Sequence, residues 1–168
     1  MKKCIVIILL LPLLCGGQEK KDFEFNFISL NPISGFRAGG NGGFAISGDV
    51  GFSFKENLFM FSAQFAQEFA IFTDYLDSFS EINLSWGKEF VLADWLQSDF
   101  FVGLSYFYFK EGNVSIRGHD RTTTIGFPLT SKFKFMLGDH FAMGPQIRFN
   151  LNSVQTIMSL GVAFQVDF

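Results

Sequence analysis

The sequence predicts an all-β protein, an eight-stranded antiparallel up-and-down barrel whose strands cross a membrane. Over most of the chain after residue 17, apolar residues alternate with small or polar ones, as they do along a strand with one apolar face. Hydrophobic residues make up 48% of the 168 positions, yet after residue 15 no apolar run approaches the ~20 residues of a spanning helix. Because only helices and closed barrels pair all their backbone groups inside a bilayer, the alternation indicates a barrel.

Residues 1–17 have the features of a secretory signal peptide. Lys2 and Lys3 give a positive start, residues 4–14 are apolar, and the small residues that follow suit cleavage after Gly17. Cys15 leaves a second interpretation open, in which cleavage precedes a cysteine that receives a lipid anchor. Without the leader, 11 basic residues remain against 16 acidic ones, and this net charge of −5 argues against nucleic-acid binding.

Eight alternating segments follow a short polar lead-in at residues 18–22, which assigns the barrel to residues 23–168. The predicted strands begin at Phe23 and then cover about 43–54, 58–71, 82–90, 99–110, 122–136, 141–149 and 154–168. Turn signals separate them, among them Asn31-Pro32 with the glycines up to 43, and the segments 55–57, 91–98 and 137–140. The two longest connections are residues 72–81 and 111–121.

The last predicted strand shows the alternation most clearly. One face carries Met158, Leu160, Val162, Phe164, Val166 and Phe168, and the other carries Ser159, Gly161, Ala163, Gln165 and Asp167. This strand, with Phe168 at its end, resembles the closing strand of bacterial outer-membrane barrels, and the chain is similar to the small eight-stranded OmpA/OmpX type. The resemblance implies that Val162, Phe164, Val166 and Phe168 form the assembly signal for the barrel-assembly machinery.

The same resemblance implies a location and a topology. The protein is expected to be a monomer in the cell outer membrane, surrounded by outer-membrane lipid. With both ends of the barrel on the periplasmic side, the connections 72–81 and 111–121 are expected to face outside the cell.

The second face of the strands is predicted to line a narrow lumen with charges of both signs. The expected polar network consists of Asp49, Gln64, Glu68, Lys132, Lys134, Gln146 and Arg148, and Glu24, Glu89 and Asp167 are also assigned inward. Because an unpaired charge in so narrow a space is costly, Arg148 is expected to pair with Glu68. Lys132 is expected to pair with Asp49. A soluble lipocalin-like barrel is disfavoured, since its water-facing surface would carry more charge than this face does.

Four aromatic residues are expected at the membrane interfaces, where amphipathic rings favour the headgroup level: Trp86, Trp95, Tyr106 and Tyr108. Lys88 interrupts the apolar face of its strand. Since a lysine facing lipid is tolerated only near the interface, Lys88 is placed near the membrane edge or on a bulge after Gly87.

The sequence does not indicate a catalytic or metal site. His119 and His140 fall at opposite ends of the predicted barrel, so no metal and no cofactor are expected. Ser115, His119 and Asp120 share one loop and could be written as a triad, but a triad is recognised by its geometry. The sequence therefore predicts a non-enzymatic barrel with a structural or surface-interaction role through its outward loops, without identifying the partner. The alternatives are a lipid-modifying enzyme that uses the 111–121 loop, and a narrow pore.

Overall fold

The protein is a closed barrel of eight antiparallel strands, in which each strand pairs with its neighbours in the chain and the last pairs with the first. The computed structural model describes residues 23–55, 57–69, 77–112 and 121–168. The strands are β1 (Phe23–Ala38), β2 (Asn41–Phe54), β3 (Asn57–Glu68), β4 (Ser78–Ala93), β5 (Leu96–Lys110), β6 (Arg121–Met136), β7 (Phe141–Asn152) and β8 (Ile157–Asp167). The predicted fold is confirmed, and closure gives every strand a partner on both sides.

The alternation separates an apolar exterior from a polar interior. In β8, Met158, Phe164 and Val166 lie on the outer surface, whereas Ser159 and Gln165 are buried in the lumen. The other strands repeat this arrangement. An exterior of this kind suits the hydrocarbon region of a bilayer, and the polar interior suits a lumen. Among the residues that the structure describes, no helix is long and apolar enough to cross a membrane.

The two ends of the barrel differ in their connections. Phe23, Phe168 and the connections after β2, β4 and β6 lie at one end, which we call the turn end. The connections after β1, β3, β5 and β7 lie at the opposite end, which we call the loop end. The two longest connections, residues 69–77 and 111–120, are both at the loop end, as predicted. Residues 70–76 and 113–120 lie outside the described part of the chain.

The predicted turn at residues 31–43 is wrong, because β1 continues to Ala38. The ladder to β2 shifts between Asn31 and Ser34, so that Pro32 falls in a bulge. A proline has no backbone N–H to donate, and a bulge accommodates it without the loss of a ladder hydrogen bond. The chain reverses at Gly39–Gly40 instead, where Gly39 adopts the left-handed φ of 59° that glycine tolerates.

At three other places the strands extend further than predicted. The turn assigned to residues 91–98 is reduced to Asp94 and Trp95, and β4 begins at Ser78 inside the predicted loop 72–81. Strand β7 extends to Asn152 instead of ending at residue 149. At residues 78–81 and 150–152 the alternation continues through residues whose polarity is typical of a turn. Strand β3, in contrast, ends at Glu68, earlier than predicted.

The seam between β8 and β1 closes the barrel. The backbone N–H of Phe168 donates to the carbonyl of Asn26 at 2.9 Å, and its ring centroid lies 5.4 Å from that of Phe25. The N–H of Asp167 donates to the carbonyl of His140 at 2.8 Å. The end of β8 is therefore tied to β1 on one side and to the β6–β7 turn on the other.

Candidate functional site: the barrel interior and the loop end

The centre of the lumen holds three buried charges from three strands, which we call the central cluster. Asp49 on β2 accepts hydrogen bonds from Lys132 on β6, at 2.9 Å, and from Arg148 on β7. Ser29 donates to the same carboxylate at 2.8 Å and accepts from Lys132 Nζ at 2.8 Å. The predicted Lys132–Asp49 pair is present. The predicted Arg148–Glu68 pair is wrong, because Arg148 reaches Asp49 across the lumen.

Gln146 extends the central cluster along β7. Its side chain is buried, and with its amide oxygen turned toward Arg148 it accepts from the guanidinium at 2.6 Å. The other predicted glutamine, Gln64 on β3, is also buried, and its amide lies 3.4 Å from the hydroxyl of Ser159. Gln64 thereby joins β3 to β8 across the lumen.

Phe27 supplies an aromatic face to the central cluster. The ring centroid lies 4.4 Å from Lys132 Nζ, within range of a cation–π interaction. Phe27 faces the lumen although Phe25, two residues earlier, faces outward, because a register shift between these two residues reverses the faces. Gly51, the partner of Phe27 on β2, makes room for the ring, since a Cβ there would come within 2.1 Å of it.

A second group of charges lies toward the turn end. Lys134 on β6 contacts Glu89 on β4 and lies 3.1 Å from Asp99 Oδ1 on β5. Asp99 is fully buried, whereas the Glu89 side chain is 42% exposed at the mouth of the barrel. Lys134 and Glu89 face inward as predicted. Asp99 was not assigned to the lumen, although it alternates with Phe100 and lies at the start of a predicted strand.

A third group, toward the loop end, was missed from the sequence. Glu81 is buried and accepts from the amide nitrogen of Asn83 at 3.1 Å and from that of Asn150. Glu81 and Asn150 fell in predicted connections. The signal that could have located Glu81 is the alternation itself. The inward face of β4 continues into the predicted loop through Ser85, Asn83, Glu81 and Phe79.

An apolar layer closes the lumen above these polar groups, nearest the loop end. Phe36, Phe79 and Phe107 are buried in contact, with ring centroids 5.1 Å apart for Phe36–Phe79 and 5.4 Å apart for Phe79–Phe107. Small and apolar neighbours complete this aromatic plug: Ala38, Ala45, Ala66 and Ile157. A packed apolar layer across a narrow lumen opposes the passage of ions.

Glu68 lies at the loop end instead of in the central cluster. Its carboxylate accepts from the N–H of Asp77 at 3.3 Å, and its own N–H donates to the carbonyl of Asp77 at 2.9 Å. The carboxylate of Asp77 in turn accepts from the N–H of Gly112 at 2.8 Å. Asp77 thereby ties the root of the 69–77 connection to the root of the 111–120 connection.

Two further residues assigned to the lumen lie at the turn end. Glu24 pairs with Ser53 on β2, on the same face as Gly51, so its side chain is on the inward side as predicted, exposed at the mouth of the barrel. Asp167 is half-buried and accepts from the amide of Gln165 at 2.7 Å. Both residues lie near the end of a strand, where the inward face opens to solvent.

The predicted assembly residues Val162, Phe164, Val166 and Phe168 all lie on the outer surface. Their role in assembly remains a prediction.

The predicted interfacial aromatics fall toward both ends of the barrel. Trp86 Nε1 donates to Asn57 Oδ1 at 3.1 Å at the turn end, and Trp95 lies in the β4–β5 turn, stacked on Phe135 with centroids 6.1 Å apart. Tyr106 and Tyr108 lie on the half of β5 nearer the loop end. Their contact with membrane interfaces remains a prediction.

Lys88 faces outward directly after Gly87 without a bulge, because the nearest register shift in the β4–β5 ladder is between Val91 and Ala93. The remaining interpretation, a position near the membrane edge, agrees with its place at the turn end. Gly87 pairs with Leu58 near the start of β3, at the level of the β2–β3 turn.

The residues considered for chemistry lie largely outside the described part of the chain. Ser115, His119 and Asp120 are not described, nor are residues 1–22, which include Cys15 and the predicted leader. Within the four described ranges, no group of three or more His, Cys, Asp or Glu side chains is placed to hold a metal ion.

Solved structures with a similar fold include small outer-membrane barrels. Neisserial surface protein A (NspA) has a TM-score of 0.67 at 12% identity, over 90% of this chain and 100% of that one. The N-terminal β-barrel domain of Pseudomonas aeruginosa OprF has a TM-score of 0.53 at 12% identity, over 84% and 99%. Ail, the attachment invasion locus protein of Yersinia pestis, has a TM-score of 0.55 at 11% identity, over 86% and 97%. At these identities the likeness shows the fold.

No protein-family model and no curated protein sequence matches the chain. The shared barrel fold and the apolar exterior support the predicted outer-membrane location.

Proposed function

We propose that this chain is a non-conducting integral protein of the outer membrane that presents its loop end to a partner outside the cell. The observation that carries the proposal is the filled interior. The aromatic plug and the central cluster occupy the lumen at two levels. With the interior filled and the outer wall apolar, the loop end is the surface proposed to meet a partner outside the cell.

The contacts at the loop end support a composite surface. Asp77 accepts from Gly112 while its own backbone is bonded to Glu68, so the roots of the two longest connections are held together. Binding residues are often carried by loops on a rigid scaffold, and a barrel supplies one. Among the similar barrels, one is named as a surface protein and one as an attachment invasion protein, which agrees with a role at the cell surface.

Replacement of residues 113–120 by a Gly/Ser segment of equal length tests the surface role. We expect proteins or glycans cross-linked to the surface of wild-type cells to be recovered with the barrel, and to be lost on this replacement. The matched control is the same kind of replacement at residues 137–140, a turn at the opposite end. A partner that is retained by all three chains would contradict binding through the loop end.

Planar-bilayer recordings test the non-conducting part of the proposal against the alternative of a narrow pore. We expect no steady conductance from the purified wild-type barrel, because an ion would have to cross the plug of Phe36, Phe79 and Phe107. Stable open channels would contradict it.

The acyl composition of lipid A in a deletion strain separates the proposal from the alternative of a lipid-modifying enzyme. An unchanged composition is expected. A change that wild type reverses and Ser115→Ala does not reverse would assign an enzymatic role instead.

A further inference from the structure

We propose that the outer wall between β4 and β7 binds an anionic glycerophospholipid, with an acyl chain in an apolar groove and the phosphate on Lys88. The inference rests on the proposed membrane location and deepens it, because it names a ligand for one part of a wall that otherwise meets bulk lipid. Three features support it: the groove, the position of the lysine and an unpartnered hydroxyl.

The groove has a volume of about 480 Å³ and crosses four neighbouring strands. Its walls are mainly aromatic and aliphatic, and include Phe90, Phe100, Val102, Leu129, Ile147 and Phe149. The groove forms because Ser131 is a small outward residue on β6 between the much larger Leu129 and Phe133. A long apolar depression in a lipid-facing wall suits an acyl chain, which gains close van der Waals contact there.

Lys88 lies on the β4 side of the groove, between Trp86 and Phe90. It is exposed on the outer face of β4 at the turn end, at the level of the β2–β3 turn. Across three successive strand pairings, Lys88 pairs with Phe100, Phe100 with Ser131, and Ser131 with Ile147, so one row of residues crosses the wall. From Lys88 this row leads to Ile147, on the half of β7 nearer the loop end. The phosphate would therefore meet Lys88 at the membrane edge, and the chain would extend into the hydrocarbon region.

Ser131 supplies the third feature. Its hydroxyl is buried and has no hydrogen-bond partner among the described residues. A buried hydroxyl left without a partner is unfavourable, so rotation of this short side chain toward the groove, where an ester carbonyl of a glycerophospholipid accepts from it, would be favoured. Ser131 lies two strands from Lys88, a separation of about 10 Å at the usual strand spacing. A lipid with its phosphate on Lys88 would have its ester groups on this side of the lysine.

Trp86 lines the groove and reports on its occupant. In a Trp95→Phe background Trp86 is the only tryptophan of the chain, which has two. The protein is placed in phosphatidylcholine nanodiscs that contain a minor fraction of brominated-acyl lipid, either phosphatidylglycerol or phosphatidylcholine. We expect the anionic brominated lipid to quench Trp86 at about one-fifth of the concentration that the zwitterionic lipid requires. A ratio of this size corresponds to the attraction of a single basic residue for an anionic lipid.

Two variants and a matched control decide the outcome. Lys88→Gln should bring the two lipids to equal quenching, and Ser131→Phe, which fills the groove, should do the same with Lys88 in place. Lys55→Gln removes the same charge from the β2–β3 turn, where Lys55 lies 5.5 Å from the Phe54 ring and outside the groove, and should keep the preference.

Equal quenching in the wild type, or a preference that survives either groove variant, would overturn the lipid site. A barrel that fails to enter nanodiscs at all would instead contradict the proposed membrane location.

Discussion

Asp49 is the carboxylate on which both cations of the central cluster depend. Conversion of Asp49 to Asn keeps the shape of the side chain but leaves Lys132 and Arg148 as two adjacent buried cations without a counter-charge. Loss of one partner from a buried ion pair costs about 3–5 kcal/mol, because the remaining charge stays desolvated. Since two cations lose their partner here, we expect Asp49→Asn to lower the free energy of unfolding by about 5 kcal/mol or more.

Loss of Arg148 should lower the free energy of unfolding by less than loss of Asp49 does. After Arg148→Gln, the Asp49–Lys132 pair remains at 2.9 Å and is neutral as a unit. The expected loss is then the hydrogen bonding to a charged group, about 1.5–3 kcal/mol. The combined change of Asp49→Asn, Lys132→Met and Arg148→Met should recover most of the stability, since no member of the cluster remains as a buried charge.

Urea unfolding in detergent micelles or lipid vesicles, followed by tryptophan fluorescence, measures these differences from the midpoints and slopes. Asp94→Asn is the matched control, because Asp94 is exposed in the β4–β5 turn and its change should stay within about 0.5 kcal/mol. An Asp49→Asn chain that unfolds at the wild-type midpoint would show that the two cations do not depend on this carboxylate. An Arg148→Gln chain that loses as much stability as Asp49→Asn would show the same.

Three further outcomes are expected. Phe107→Ala should lower the free energy of unfolding by about 3–5 kcal/mol in the same assay, because this fully buried ring fills the aromatic plug, and an unchanged midpoint would contradict that packing. Deletion of Phe168 should leave the chain protease-sensitive in the periplasm, because the 2.9 Å hydrogen bond to Asn26 at the seam is lost; normal levels of heat-modifiable barrel in the outer membrane would argue against this. An epitope tag after Gly112 should be labelled on intact cells and one after Asn57 only after permeabilisation, and the reverse pattern would invert the topology.

The contacts that hold the interior together depended on the tertiary structure. Phe27 enters the lumen through a register shift in β1 that leaves no mark in the alternation of its neighbours. Arg148 meets Asp49 instead of Glu68, although all three residues face inward in the sequence pattern. Strands β2 and β7 are not neighbours in the sheet, so their relative height depends on the stagger accumulated around the barrel. Local sequence therefore does not fix a pairing across the lumen: the predicted Lys132–Asp49 pair is present, whereas the predicted Arg148–Glu68 pair is not.

The barrel, the number of strands and the side on which most residues lie follow from the alternation along the sequence. In β8, Val162, Phe164 and Val166 face outward and Gln165 faces inward, as the alternation predicts. This much is local, because side-chain direction reverses at each residue of a strand and lipid accepts only the apolar set on the outside. At Glu81 and Asn150 the alternation places the side chain on the inward face of its strand. The polarity of the surrounding residues, however, indicated a turn, so both residues were assigned to connections. Which charges meet inside was decided only by closure, since closure sets the heights at which non-neighbouring strands face each other across the lumen.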